Sequence, residues 1–257
     1  MGKTGPVCLI TGSATGIGAA CAREFSRHGW HVGISYQGEG QLQEAQAVAA
    51  DCSNAGATCL LQALDVRHDA ECVRFAQAAL QRFGRIDALI NCAGTTRFIA
   101  HDDLAALDAD EFHRTYDVNV VGMHQITRAC AQALKASGAG SVVNISSIGG
   151  LLGRGSSVAY AASKGAVNTM TLALARALAP VRVNAIAPGF VAGGLPSRVL
   201  DAKAHAQATA AQTGNSVLQR ISQPEEVAAL AWFLTAHAPG ITGDIVMLDN
   251  GLHLNAG

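Results

Sequence analysis

Apolar residues recur along this chain at two alternating spacings. Short, nearly unbroken runs read as strands: PVCLITG (6–12), HVGISY (31–36), TCLLQALD (58–65), DALINCAG (87–94), GSVVNISS (140–147), VRVNAIAPG (181–189) and DIVMLDNG (244–251). Between them lie stretches with helical spacing: Gly16 to Gly29, a polar stretch through Ala50, Asp69 to Phe83, Glu111 to Ala136, Ser157 to Leu178, and Pro224 to Thr235. Strands alternating with helices predict a parallel sheet covered on both faces, and strands that are apolar on both sides are what such a sheet requires. The pattern predicts an α/β, doubly wound parallel sheet of about seven strands, built as a single domain over 1–257. Phe190 to Asn215 breaks the rhythm, being rich in small residues and weakly periodic. An irregular insert at about 190–215, serving as a mobile lid over a site, is the expectation there.

Composition narrows the function classes. Hydrophobic residues make up 49% of the chain and charged residues 14%, which favours a well-buried globular protein over a disordered one. With a net charge of -1 and no basic tract, neither nucleic acid nor an anionic lipid surface is expected as a partner. No apolar run has the length of a membrane span. The opening MGKTGPVCLITG leads directly into a strand, so no signal peptide is expected, and Pro6 stands where a myristoylated Gly2 would need Ser or Thr. The seven cysteines are scattered without CxxC spacing and the nine histidines form no HxxxH pattern. Small buried thiols in a reducing cytoplasm, and no metal site, are expected.

The first turn carries the first chemistry. Gly12, Gly16 and Gly18 in TGSATGIG (11–18) join the first strand to the first helix. Missing side chains permit a tight turn and let backbone N–H groups approach a pyrophosphate at the positive end of the helix. The strand ends Asp65–Val66 and NCAG (91–94) should line the same crevice, because ligands of such sheets bind at the carboxyl ends of the strands. A Rossmann-like dinucleotide site is the reading.

The second chemistry lies in VAYAASKGAV (158–167). Tyr160 and Lys164 are one helical turn apart and share a face, with small residues around them. A carbonyl that accepts a hydride needs a proton on its oxygen. A free tyrosine has a pKa of about 10, and moving it three units down takes about 4 kcal/mol of differential interaction. An ammonium one turn away is expected to contribute to that shift, giving a donor poised near the working pH.

Taken together, TGSATGIG, DV (65–66), NCAG, DVNVVG with Asn119, NISS (144–147), YAASK (160–164) and RVNAIAPG (182–189) resemble the short-chain dehydrogenase/reductase family, in its short single-domain branch. The resemblance implies an NAD(P)-dependent oxidoreductase interconverting a ketone and a secondary alcohol. It implies a tetrad of Asn119, Ser147, Tyr160 and Lys164, with Ser146 as the neighbouring alternative to Ser147. Ser147 would hydrogen-bond the substrate oxygen, and Asn119 would hold a water linking Lys164 to solvent. Cofactor contacts are implied for Gly12, Ser13, Thr15, Gly16, Ile17, Gly18, Ser35, Tyr36, Gln37, Asp65, Val66, Asn91, Ala93, Gly94, Tyr160, Lys164, Pro188, Gly189 and Val191. Three places depart from the family pattern. Gly193 stands where a cofactor-contacting threonine is usual, ALAPVRVN (177–184) is shorter than the usual link, and DNG (249–251) replaces DGG. A non-catalytic nucleotide-binding regulator on the same fold is the rival class, and the intact tetrad argues against it.

Cofactor choice is read from the end of the second strand. Tyr36 occupies the place where an NAD enzyme usually carries an acid, with Ser35 and Gln37 beside it, while Glu39 lies beyond in a Gly-flanked turn. NADP(H) is expected over NAD(H), modestly, because Thr15 and Gln37 stand where NADP-preferring relatives often carry arginine. NCAGTTR resembles the family's 3-oxoacyl-carrier-protein reductases, although Lys135 alone offers a basic group after the central helix. Arg97 and Arg154 are expected near the cleft mouth, and Leu151, Leu152 and Phe190 as an apolar wall. Ala166, Met170, Leu174 and Val121 supply apolar positions beyond what one sheet face covers, so a homotetramer is expected.

Overall fold

A computed structural model describes residues 5–255. The reading of Gly2 therefore lies outside the described residues, as do both ends of the 1–257 span. The chain runs β1 (Val7–Ile10), α1 (Gly16–Arg27), β2 (His31–Tyr36), α2 (Leu42–Asn54), β3 (Cys59–Ala63), α3 (Asp69–Phe83), β4 (Ala88–Asn91), α4 (Ala109–Tyr116), a π-helical turn (Asp117–Gly122) and α5 (Met123–Ala136). It continues through β5 (Ser141–Ile145), a short α6 (Gly149–Leu152), α7 (Val158–Ala177), β6 (Arg182–Pro188), α8 (Leu195–Val199), α9 (Ala202–Asn215), α10 (Pro224–Ala236) and β7 (Ile245–Leu248).

All seven strands are parallel, in the order β3-β2-β1-β4-β5-β6-β7. The alternation of strand and helix predicted this Rossmann-like sheet. Successive side chains of β1 divide between the two faces. Cys8 and Ile10 pack with Phe25 of α1, Val48 of α2 and Leu234 of α10. Val7 and Leu9 pack with Phe75 of α3, Leu134 of α5 and Leu174 of α7. The chain winds outward from β1 to β3, then returns and winds the other way from β4. That reversal opens a crevice above the carboxyl ends of β1 and β4.

Two stretches differ from the sequence reading. Glu111 to Ala136 is not one uninterrupted helix: the π turn at Asp117–Gly122 separates α4 from α5. A Cβ on Gly122 would stand 2.9 Å from Val66 Cβ and 3.0 Å from its carbonyl oxygen, so the missing side chain lets this turn press against the end of β3. The insert is also not irregular. It holds α8 and α9, the latter capped by Asp201, whose side chain accepts from the Ala204 N–H at 2.8 Å. Neither helix buries a residue, and α9 lacks the apolar stripe by which amphipathic helices are recognised in sequence.

Candidate active site

Gly12 and Gly16 turn the chain out of β1 with φ of 63° and 54°, a region open chiefly to glycine. A Cβ on Gly12 would fall 2.9 Å from Ala93 Cα, and one on Gly18 would collide with the Gly12 carbonyl oxygen. The turn is braced from behind. The Gly12 N–H donates to Ser35 Oγ at 3.0 Å, the Ser35 N–H to Ser13 Oγ at 2.8 Å, and the Cys92 and Ala93 N–H groups both donate to Thr11 Oγ1 at 3.0 Å. The first turn of α1 has no side-chain cap and no acid. The N–H groups of Gly16 and Ile17 are thus left to a ligand, and both residues line the crevice with Thr15.

That crevice is a cleft of about 710 Å³. At one end it is lined by Tyr36, Gln37, Asp65, Val66 and Arg67, at the centre by Gly12, Ala93, Gly94, Pro188, Gly189 and Val191, and at the other end by Ser147, Tyr160 and Lys164. Open glycine backbone, unsatisfied helix N–H groups and an elongated cleft fit a dinucleotide. Five residues implied as contacts or catalysts do not line it. Ser13 and Ser35 are buried in the brace, and Gly18 packs under Gly12. Asn91 is buried and donates to Thr127 Oγ1 at 2.9 Å and Asn144 Oδ1 at 2.8 Å. Asn119 is fully buried in the π turn.

Asn119 nevertheless comes near Lys164. Its Nδ2 donates to Ser163 Oγ and to the Thr95 carbonyl, both at 3.0 Å, and its Oδ1 accepts from the Thr95 N–H at 2.8 Å. A Cβ on Gly94 would lie 3.5 Å from Asn119 Oδ1 and 3.8 Å from Lys164 Nζ, so the absent side chain keeps a space between them. Lys164 donates to the Ile145 carbonyl at 2.8 Å, with Nζ 5.7 Å from the Tyr160 ring centre. The two serines separate by their partners. The Ser147 hydroxyl faces the Tyr160 phenol and lowers its pKa, and its Oγ accepts from the Gly149 N–H at 3.0 Å. The Ser146 hydroxyl donates to Asn168 Oδ1 at 2.6 Å, which ties it to α7.

The electrostatics differ from the sequence expectation. Burial pushes the Tyr160 phenol up to about 12, against a smaller lowering by the Ser147 hydrogen bond. Burial also pulls the Lys164 ammonium down to about 8. In the free chain, desolvation dominates both groups and drives them away from the ion pair. At the far end Asp65 is held down at about 2, chiefly by the Arg67 guanidinium, whose Nε lies 3.0 Å from both carboxylate oxygens.

Arg67, Thr95, Thr96, Phe98, Arg114, Ser156, Leu195, Arg198, Val199, Gln212 and Asn215 also line the cleft. Arg67 and the two threonines directly follow motifs already read, and adjacency could have found them. Arg114, Arg198 and Gln212 arrive on helices with no such signal. Leu152, Phe190 and Arg154 line the cleft as expected, whereas Arg97 and Leu151 do not, and Leu151 is exposed.

A family model described as Enoyl-(Acyl carrier protein) reductase matches residues 12–253. A putative ketoacyl reductase of granaticin polyketide synthase from Streptomyces violaceoruber is 36% identical, over 97% of this chain and 96% of its own. A 3-oxoacyl-[acyl-carrier-protein] reductase from Thermotoga maritima is 32% identical over 96% and 98%. Cyclopentanol dehydrogenase from Comamonas testosteroni is 34% identical over 97% of each. A crystal structure of a putative short-chain dehydrogenase/reductase from Burkholderia xenovorans superposes with a TM-score of 0.91 at 49% identity, covering 98% of this chain and 99% of its own.

Proposed function

The chain belongs to the short-chain dehydrogenase/reductase family and is an NAD(P)-dependent oxidoreductase; from that premise we propose that it interconverts a ketone and a secondary alcohol, with Tyr160 moving the proton. The observation that carries this reading is that Ser147, Tyr160 and the buried Lys164 line the cleft together, with Lys164 Nζ 5.7 Å from the Tyr160 ring centre. A bound nicotinamide supplies or accepts the hydride. Ser147 and Tyr160 hold the substrate oxygen where negative charge develops, and Tyr160 gives it a proton in reduction. Lys164, fixed by the Ile145 carbonyl, places its positive end beside the phenol. Asn119 secures Thr95 and Ser163 and borders the space at Gly94 through which a water can connect Lys164 to solvent. Burial keeps the phenol protonated at neutral pH, the form that reduction uses. Alcohol oxidation needs the phenolate, so its rate rises with pH below that pKa.

The proposed substrate is a ketone with an apolar body, as in the relatives named for ketoacyl groups and cyclopentanol. Phe98, Leu152, Phe190, Leu195 and Val199 offer it an apolar surface. NADP(H) is the proposed preference. The only carboxylate lining the cleft among the described residues is that of Asp65, already paired with Arg67, so nothing at Tyr36 or Gln37 repels a 2′-phosphate. The proposed assembly is a homotetramer. Leu174 drops out of the argument for it, since it is buried in the core of one chain, while Val121 and Leu172 stay exposed. A stable monomer in light scattering at micromolar concentration would refute that assembly.

Tyr160→Phe tests the chemistry. Turnover of ketones should fall by about a thousand-fold or more while the cofactor Kd stays within about two-fold, since only the proton is lost. Lys164→Ala should impair both. Retention of more than a few per cent of activity in Tyr160→Phe would remove the tyrosine from its role.

A further inference from the structure

The lid carries one cation over the cleft whose place the proposed chemistry does not use. Among the described residues, Arg198 of α8 lines the cleft and makes no hydrogen bond or ion pair with the protein. An arginine with an exposed side chain at a cleft usually turns to a neighbouring carboxylate or to water. Here the only acid lining the cleft among the described residues, Asp65, is already held by Arg67.

The approach to α8 lies over the Gly-rich turn. Gly193 and Gly194, which lead into α8, lie against that turn: a Cβ on Gly16 would stand 3.4 Å from the Gly193 oxygen and 3.9 Å from Gly194 Cα. Cys92, at the end of β4, accepts a hydrogen bond from the Gly18 N–H in the first turn of α1. The positive charges of Lys164 and Arg198 both act on this thiol and oppose the rise that burial causes. Arg198, on the helix these glycines lead into and with its charge felt at Cys92, thus lines the cleft on the side of the junction of β1, β4 and the start of α1. Gly193 has no side chain to offer a ligand, and the insert's other cation, Lys203, lies on α9 and does not line the cleft.

We propose that Arg198 is a binding residue for the cofactor's pyrophosphate, closing it from the lid side against the N–H groups at the start of α1. The inference rests on the dinucleotide reading of the cleft. A guanidinium can make two charge-assisted hydrogen bonds to a phosphate, and the helix start supplies donors on the opposite side. The phosphate is thereby bonded from below by backbone that cannot move and from above by a side chain that arrives with α8. Because both NADPH and NADH carry the pyrophosphate, Arg198 contributes to affinity without contributing to the choice between them.

The test is a binding titration, read by nicotinamide fluorescence, of wild type, Arg198→Ala and Arg198→Lys with NADPH and with NADH. Arg198 is exposed on its helix, so both variants should keep the wild-type Tm and circular dichroism. Arg198→Ala should weaken NADPH and NADH alike, by about ten- to a hundred-fold, with Arg198→Lys in between. The fall of affinity with salt should also be shallower in Arg198→Ala. Unchanged Kd values for both dinucleotides would overturn the proposal. Weakening confined to NADPH would move Arg198 to the 2′-phosphate, and an effect confined to the ketone KM would move it to the substrate; either result also overturns it. Failure of the wild-type protein to bind any nicotinamide dinucleotide would instead bring down the cleft's assignment, and this inference with it.

Discussion

Two regions of the cleft are held in opposite ways. Around the Gly-rich turn, position is set by backbone: Gly12 against Ala93, Gly18 under Gly12, and the buried Ser13–Ser35 brace behind them. Around the insert, α8 and α9 present exposed and half-buried side chains, and neither helix buries a residue. The first region tolerates almost no added atom, because close-packed backbone cannot yield. The second can change its residues with little loss of stability, because nothing in the core depends on them. A dinucleotide has one shape and suits the rigid end, whereas substrates vary within such a fold and suit the adjustable end.

Gly18→Ala attacks the rigid end most directly. Its methyl would run into the Gly12 carbonyl, so the turn must shift away from the position that leaves room for a pyrophosphate. Overpacking of this kind costs about 1–3 kcal/mol, a fall in Tm of several degrees that thermal unfolding would register. Cofactor Kd should rise by about a hundred-fold or more, while Gly214→Ala in α9, where a Cβ meets nothing within 4 Å, should leave both measurements unchanged. Equal behaviour of the two variants would erase the contrast between the ends.

Tyr36→Asp probes a place where the rigid end presents a side chain. Wild type should favour NADPH over NADH by about ten-fold in kcat/KM, about 1.4 kcal/mol, and the new carboxylate should reverse that order by repelling the 2′-phosphate. Wild-type preference for NADH would move suspicion to Glu39, which is exposed in the one-turn helix after β2.

The smallest effect belongs to the adjustable end. Gln212→Ala, on α9 and lining the cleft, should change the ketone KM by about two- to five-fold with Tm and cofactor Kd unaltered. A shift of Tm by several degrees would show that the lid is tied to the core after all.

Much of the site was legible because its parts are close in sequence. Tyr160 and Lys164 share one turn of α7, and the three glycines share one turn. Spacing from Tyr160 favoured Ser147 over its neighbour Ser146, and the structure ties the Ser146 hydroxyl to Asn168 while Ser147 acts on the Tyr160 phenol. Ser13 and Ser35 looked like ligand donors from their place beside the turn and at the strand end. Their side chains point instead into the brace, because two adjacent strands need their own polar groups satisfied before a ligand can be served. Leu174 and Leu151 exchanged expectations for the same reason: exposure depends on what the neighbouring element covers, not on residue type.

By itself, the amino-acid order determined the alternation of strands and helices, the glycine turn, and the pairing of a phenol with an ammonium, all of which arise from residues within a turn or two of each other. Tertiary structure alone decided the π turn that buries Asn119, the helices of the insert and Arg198's place in the lining of the cleft. It also decided that burial drives both Tyr160 and Lys164 toward their neutral forms. Periodicity is a property of neighbouring residues, whereas solvation and facing charge are properties of groups that only the finished fold brings together.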